Sequence, residues 1–199
     1  MRTLQRSKRF HTDRELVNLY KSRVLGYLEY RTSALYHATS TTLQPLDKVQ
    51  DSFLREAGVT QLEALMHFNL APLSARRDTA MLGLIHRAVL RKGPEHFQKL
   101  SVLTSEERPY CTRLESRRRR HGRQLVDSRR TTHLNCVRRS ALGLVAIYNL
   151  LPAKAVHVET VKGFQTELQK ILKERACEGC EDWAQTFSPR LPLYRHPLR

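Results

Sequence analysis

The sequence predicts a mainly α-helical protein: a helical bundle, an Arg-rich flexible segment, a short apolar strand-like segment and a C-terminal amphipathic helix. Three observations predict it. Apolar residues recur at three- and four-residue steps through most of residues 13–92. Thr-x-x-Glu pairs stand just ahead of two of these stretches, as capping boxes do. Glycine or Gly-Pro follows their ends, where a helix needs a left-handed residue or a stop.

Residues 1–12 read as a basic N-terminal tail, and residues 13–100 as the bundle. Thr12 and Glu15 cap a long first helix that runs to about His37 with Leu16, Leu19, Val24, Tyr27, Leu28, Ala34 and Leu35 on its apolar side. A second helix opens near Thr42, carries Pro45 in its first turn, presents Leu46, Val49, Phe53 and Leu54 together and stops at Gly58. Thr60 and Glu63 cap a third around Leu62, Leu65 and Met66. A fourth follows Pro72 with Leu73, Ala80, Met81, Leu84, Ala88 and Val89, ending before Gly93-Pro94.

Across residues 101–139 apolar residues thin out, and Arg108, Arg113, Arg117, Arg118, Arg119, Arg120, Arg123, Arg129, Arg130, Arg138 and Arg139 face only Glu106, Glu107, Glu115 and Asp127. Repelling charges with little apolar area to offset chain entropy predict a linker or arm. Residues 140–176 begin with the run ALGLVAIYNLLP, a buried strand or core-crossing segment. An amphipathic helix follows with Val161, Phe164, Leu168, Ile171 and Leu172, Thr160 as N-cap and Gly179 beyond its end. Residues 177–199, with the proline-rich SPRLPLYRHPLR, read as an extended tail.

The charge points to a class of partner. The chain has 35 Lys plus Arg against 19 Asp plus Glu in 199 residues, a net +16, and a pI near 10.3. Such a field gathers polyanions, and arginine forks match phosphate oxygens bidentately, so nucleic acid (RNA, DNA or a hybrid) contacted through its phosphates is the expected partner. The residues expected to carry it are Arg117, Arg118, Arg119, Arg120 and Arg123 in the arm, with Arg76, Arg77, Arg87 and Arg91 from the bundle. A solvated linker or a localisation signal is the plainer reading of the arginine run.

No stretch approaches the ~18 apolar residues of a spanning helix, no signal-peptide core follows the basic N-terminus, and four cysteines are few for a disulfide scaffold. An intracellular protein without a membrane partner is therefore expected. Cys111, Cys136, His121 and His133 lack the close pairing of structural zinc ligands, and the CxxC of Cys177 and Cys180 follows a helix instead of opening one. No nucleophile elbow, glycine-rich phosphate loop, HExxH or paired-carboxylate motif is present, and the acids that a two-metal enzyme would cluster are scattered. No catalytic residue, metal, cofactor or small-molecule substrate is expected.

The segments LYKSRVLGYLEYRTSALYHA, LQPLDKVQDSFLREAGV and HFNLAPLSARRDTAMLGLIHRAVL resemble the region after the catalytic palm of non-LTR retrotransposon reverse transcriptases. YNLLPAKAVHVETVKGFQTELQKIL resembles that family's C-terminal signature: Tyr148 to Pro152 take the WNxLP-like turn, with Tyr148 in place of tryptophan, and Phe164 and Leu168 follow on the helix. Together the matches span roughly residues 16–92 and 138–175. The resemblance implies a thumb-like bundle gripping a template and primer duplex, with fingers and palm upstream; no YxDD or FxDD turn occurs here. It also implies that a face of the first helix, normally covered by a palm, lies exposed. The alternatives are a helical module that docks a protein partner such as a polymerase palm, and a non-functional retroelement remnant.

Overall fold

The computed structural model describes residues 8–100, 103, 120–127 and 135–199. It is mainly helical. No strand occurs among the described residues, which contain one isolated antiparallel bridge, Leu103 to Leu125. The chain divides into two compact units, Met1–Arg77 and Asp78–Arg199.

The first unit opens with α1 (Asp13–Tyr20). Its capping box is formed as expected: Glu15 N–H donates to Thr12 Oγ1 at 3.4 Å and Thr12 N–H to Glu15 Oε2 at 2.8 Å. The long first helix then departs from expectation. A π-turn (Lys21–Leu25) leads into α2 (Gly26–Glu29), and Arg31 leaves helical geometry before α3 (Thr32–Leu35). The π-turn inserts one residue, so the inward series runs Leu16, Tyr20, Leu25 with a step of five where four was expected. Tyr27, expected on the apolar side, is thereby turned to solvent.

Helix α4 (Ser40–Ala57) starts earlier than read from sequence because Thr39, not a residue near Thr42, is its N-cap; Thr42 N–H donates to Thr39 Oγ1 at 3.2 Å. Pro45 therefore lies in the second turn, inside the helix. Gly58, at φ 77°, closes it: Val59 N–H reaches Leu54 O and Gly58 N–H reaches Arg55 O, a Schellman pairing that requires the left-handed residue. Helix α5 (Gln61–Phe68) has the expected Thr60/Glu63 capping box. The core beneath these helices joins Leu16, Tyr20, Phe53, Leu54, Leu70 and Leu73, with the rings of Tyr20 and Phe53 stacked at 4.3 Å.

Helix α6 (Leu73–Val89) spans the division between the units. In the second unit it is followed by α7 (Glu95–Leu100), α8 (Asn135–Arg138), α9 (Gly143–Leu150), α10 (Ala153–Val156) and α11 (Val161–Cys177). The apolar run read as strand-like is α9. Residues Gly143 to Tyr148 are buried in succession, and a helix that is apolar on all sides is one enclosed by its neighbours. Its length and β-tolerant residues could not separate a buried strand from a buried helix. It stops at Leu151, extended because Pro152 follows. α11 has Thr160 as N-cap and Gly179 at φ 73° just past its end, both as expected. Phe164, Leu168, Leu172 and Ala176 form its buried side.

Two further expectations change. The 177–199 segment is not an extended tail: it makes 3-10 turns at Trp183–Gln185 and Leu193–Arg195, and Thr186, Phe187, Ser188, His196 and Leu198 are buried. His196 Nε2–H donates to Ser188 O at 3.2 Å, and Arg175 donates to Pro197 O, so backbone carbonyls of the prolyl segment are used to fold it back. Within 101–139, residues 120–127 are not a free arm but lie along the end of α9.

Candidate nucleic-acid interface

The expected site residues fall into distinct environments. In the first unit, Arg76 holds Glu29 through Nε to Oε1 and through Nη2 to Oε2 at 3.1 Å. Arg77, 6% exposed, holds Asp47 with Nη2 at 2.7 and 2.9 Å from the two carboxylate oxygens. Both guanidiniums face carboxylates within the unit, so their charge is neutralised locally.

In the second unit, Arg120 donates to the carbonyls of Leu150 at 3.1 Å, Leu198 at 2.6 Å and Arg199 at 3.0 Å. Arg123 donates to Val156 O at 3.0 Å. These contacts belong to a wider capping arrangement. His121 Nε2–H reaches Tyr148 O at 3.1 Å and Gln124 reaches Asn149 O at 3.1 Å, so three successive carbonyls at the end of α9 are met by three side chains of residues 120–124. Helix C-termini expose such carbonyls and carry partial negative charge, which an arginine satisfies twice over. Asn149 completes the joint by exchanging two 2.8 Å hydrogen bonds with Leu125 N–H and C=O.

Arg87 and Arg91 are exposed at the end of α6, with Arg87 Nε–H on Lys92 O at 3.1 Å and Arg91 at φ 57°. Arg117, Arg118 and Arg119 lie outside the described residues, as do Cys111 and His133. Of the nine expected residues the structure brings Arg120 and Arg123 to one place, the α9 end, and pairs Arg76 and Arg77 with acids.

Beneath the capped end of α9 lies a buried polar-aromatic cluster. His86 is fully buried; its ring stacks on Phe164 at 4.1 Å, Nδ1 is 2.9 Å from Tyr148 Oη and Nε2 is 2.8 Å from Val158 O. Facing a carbonyl, Nε2 must carry the proton, so Nδ1 accepts from the Tyr148 hydroxyl. Burial, with Arg123 and Lys92 nearby, holds His86 below the ordinary histidine range, and burial does the same to His121. Both are thereby held towards the neutral form.

Sequence reasoning passed over two kinds of residue. Tyr27 and Tyr30 are 86% and 81% exposed beside Arg23 and Arg31, and the π-turn that exposes them leaves no clear mark on the apolar pattern. On α11, Lys162, Thr166 and Lys170 share a solvent face; helical spacing would have found them. A shallow cleft of roughly 390 Å³ is bordered by Ala88, Arg91, Gln98, Lys99 and Leu103. Among the described residues no group of three or more His, Cys, Asp or Glu side chains could hold a metal ion, and no helix is long and apolar enough to cross a membrane. Among the described residues no disulfide joins Cys136, Cys177 or Cys180.

No family model, curated protein or solved structure matches this chain.

Proposed function

We propose that the chain is a non-catalytic helical module that contacts the phosphate backbone of nucleic acid, and that it corresponds to the thumb and C-terminal region of a retroelement reverse transcriptase. The observation that carries the first part is the charge of the second unit: 23 Lys and Arg lie against 12 acids between Asp78 and Arg199. Arg87, Arg91, Lys92, Lys99, Arg138 and Lys162 are exposed there, suited to sequence-blind phosphate contact. The second part rests on the sequence resemblance. Tyr148 to Pro152 supply the end of a buried helix and Phe164 its packing partner on α11, a consistent use of the signature residues.

Binding to a fluorescent RNA–DNA hybrid across about 50 to 200 mM salt tests the reading. Three or more phosphate contacts give a log–log slope of about −3 or steeper, each contact adding about −0.9. A flat slope, or no binding, overturns it and leaves the protein-docking alternative. Arg117, Arg118 and Arg119 are the arm residues to replace by serine in the same titration. Arg120 is spared because its loss would free the carbonyls of Leu150, Leu198 and Arg199.

A further inference from the structure

We infer that Arg23, Tyr27, Tyr30 and Arg31 of the first unit form a stacking platform for the bases of a single-stranded nucleic acid, with the two arginines meeting its phosphates. This rests on the nucleic-acid reading above and names a separate surface and a strand state for it. The two rings stand three residues apart on a helical turn, where side chains are neighbours, and they are among the most exposed large side chains described, at 86% and 81%. Rings so exposed lose nothing by receiving a base, and every base offers a π-face whatever its identity.

The local charge matches a polyanion. Arg23 and Arg31 are exposed, and Arg31 lies over the Tyr30 ring with its guanidinium carbon 5.9 Å from the centroid. The nearest acid in sequence, Glu29, is held by Arg76, so no free carboxylate between residues 21 and 37 opposes a phosphate. Gly26 directly precedes Tyr27, and a methyl group there would meet no atom within 4 Å, so the backbone at that point is open.

A protein helix is the rival occupant, and the chemistry of the face disfavours it. The aliphatic residues of the same stretch, Val24, Leu25 and Leu28, turn to the core, leaving ring faces and guanidiniums outside. The π-turn over Lys21–Leu25 produces this division. Such turns interrupt the regular helical ladder and occur frequently at functional sites.

The test is fluorescence anisotropy of the full chain with labelled single-stranded oligo-U and oligo-dT, beside the hybrid duplex. The Tyr27→Ala/Tyr30→Ala chain should lose at least about tenfold in single-strand affinity with its salt slope unchanged, since base–aromatic stacking is worth about 5- to 150-fold per base. The Tyr27→Phe/Tyr30→Phe chain keeps the rings and should bind within about twofold of the native chain. Unchanged affinity in the alanine pair, or equal loss in the phenylalanine pair, overturns the platform and leaves this face to a protein partner. A native chain that binds the hybrid steeply but no single strand also overturns it while the backbone reading stands; binding to neither overturns both.

Discussion

Asn149 and Leu125 exchange two hydrogen bonds of 2.8 Å, the Asn149 carboxamide taking the Leu125 N–H and giving its own N–H to the Leu125 carbonyl. This side chain does for residues 120–127 what a neighbouring strand would do, and Leu125 also forms the isolated bridge to Leu103. Asn149→Ala removes both bonds from the backbone of a buried residue. A loss of about 2 kcal/mol in urea unfolding is expected, at roughly 1 per bond. Asn149→Asp should be no better, because it sets a carboxylate against the Leu125 carbonyl.

The same substitution at two tyrosines is expected to be costly at one and not at the other. Tyr148→Phe takes the donor from His86 Nδ1 and strands a buried acceptor, costing about 1–3 kcal/mol. Tyr20 Oη is buried with no hydrogen-bond partner among the described residues, and its ring stacks on Phe53. Tyr20→Phe keeps the ring and removes an unpaired hydroxyl, so it should be neutral or stabilising by about 1 kcal/mol. Paired denaturation curves at pH 7.5 decide both.

Stability should fall with acid earlier than carboxylates alone would make it. His86, His121 and His196 are each held below the ordinary histidine range, chiefly by burial. Below about pH 6.5 the unfolded chain takes up protons that the folded chain refuses, so each group's contribution is complete above that pH and is lost as pH falls towards its folded-state value. The limiting slope is about 1.4 kcal/mol per pH unit for each histidine. Glu15, Glu63 and Glu167, held low by hydrogen bonds to Thr12, Thr60 and Lys170, act at more acidic pH. Urea unfolding from pH 7.5 to 5 measures the effect. A flat profile over that interval would contradict the neutral-histidine assignment.

The two adjacent arginines of the first unit should differ in cost. Arg77 is buried against Asp47, whereas Arg76 and Glu29 are each about a third exposed in their side chains. Arg77→Ala is expected to cost about 2–3 kcal/mol, below the range for a fully enclosed pair because Asp47 retains some solvent. Arg76→Ala should cost about 1 kcal/mol or less, and that cost should shrink in 1 M NaCl.

Glycine-to-alanine changes at two helical positions also separate. Gly26 has φ −57° and open space around it, so Gly26→Ala should stabilise by about 0.5–1 kcal/mol. At Gly143 a methyl group would sit 1.9 Å from Arg138 O and 3.2 Å from Pro189 Cβ. The first of these contacts is backbone and cannot rotate away, so Gly143→Ala should destabilise by several kcal/mol or shift the start of α9. Thermal unfolding of both variants checks the pair.

The sequence by itself determined the helical class, the Thr12, Thr60 and Thr160 caps, the Gly58 and Gly179 stops and the basic charge, because these depend on neighbours within a turn or on composition alone. Only the tertiary structure decided the rest. A π-turn moved Tyr27 from the expected apolar side into solvent, since one inserted residue rotates everything after it by about 100°. Burial on all sides made 143–150 a helix, a distinction periodicity lacks when every residue is apolar. Arg76, Arg77, Arg120 and Arg123 looked like any other cations in the chain. Their partners, Glu29, Asp47, Leu150 and Val156, lie 30 to 47 residues away in sequence, and folding alone brings them within hydrogen-bond reach.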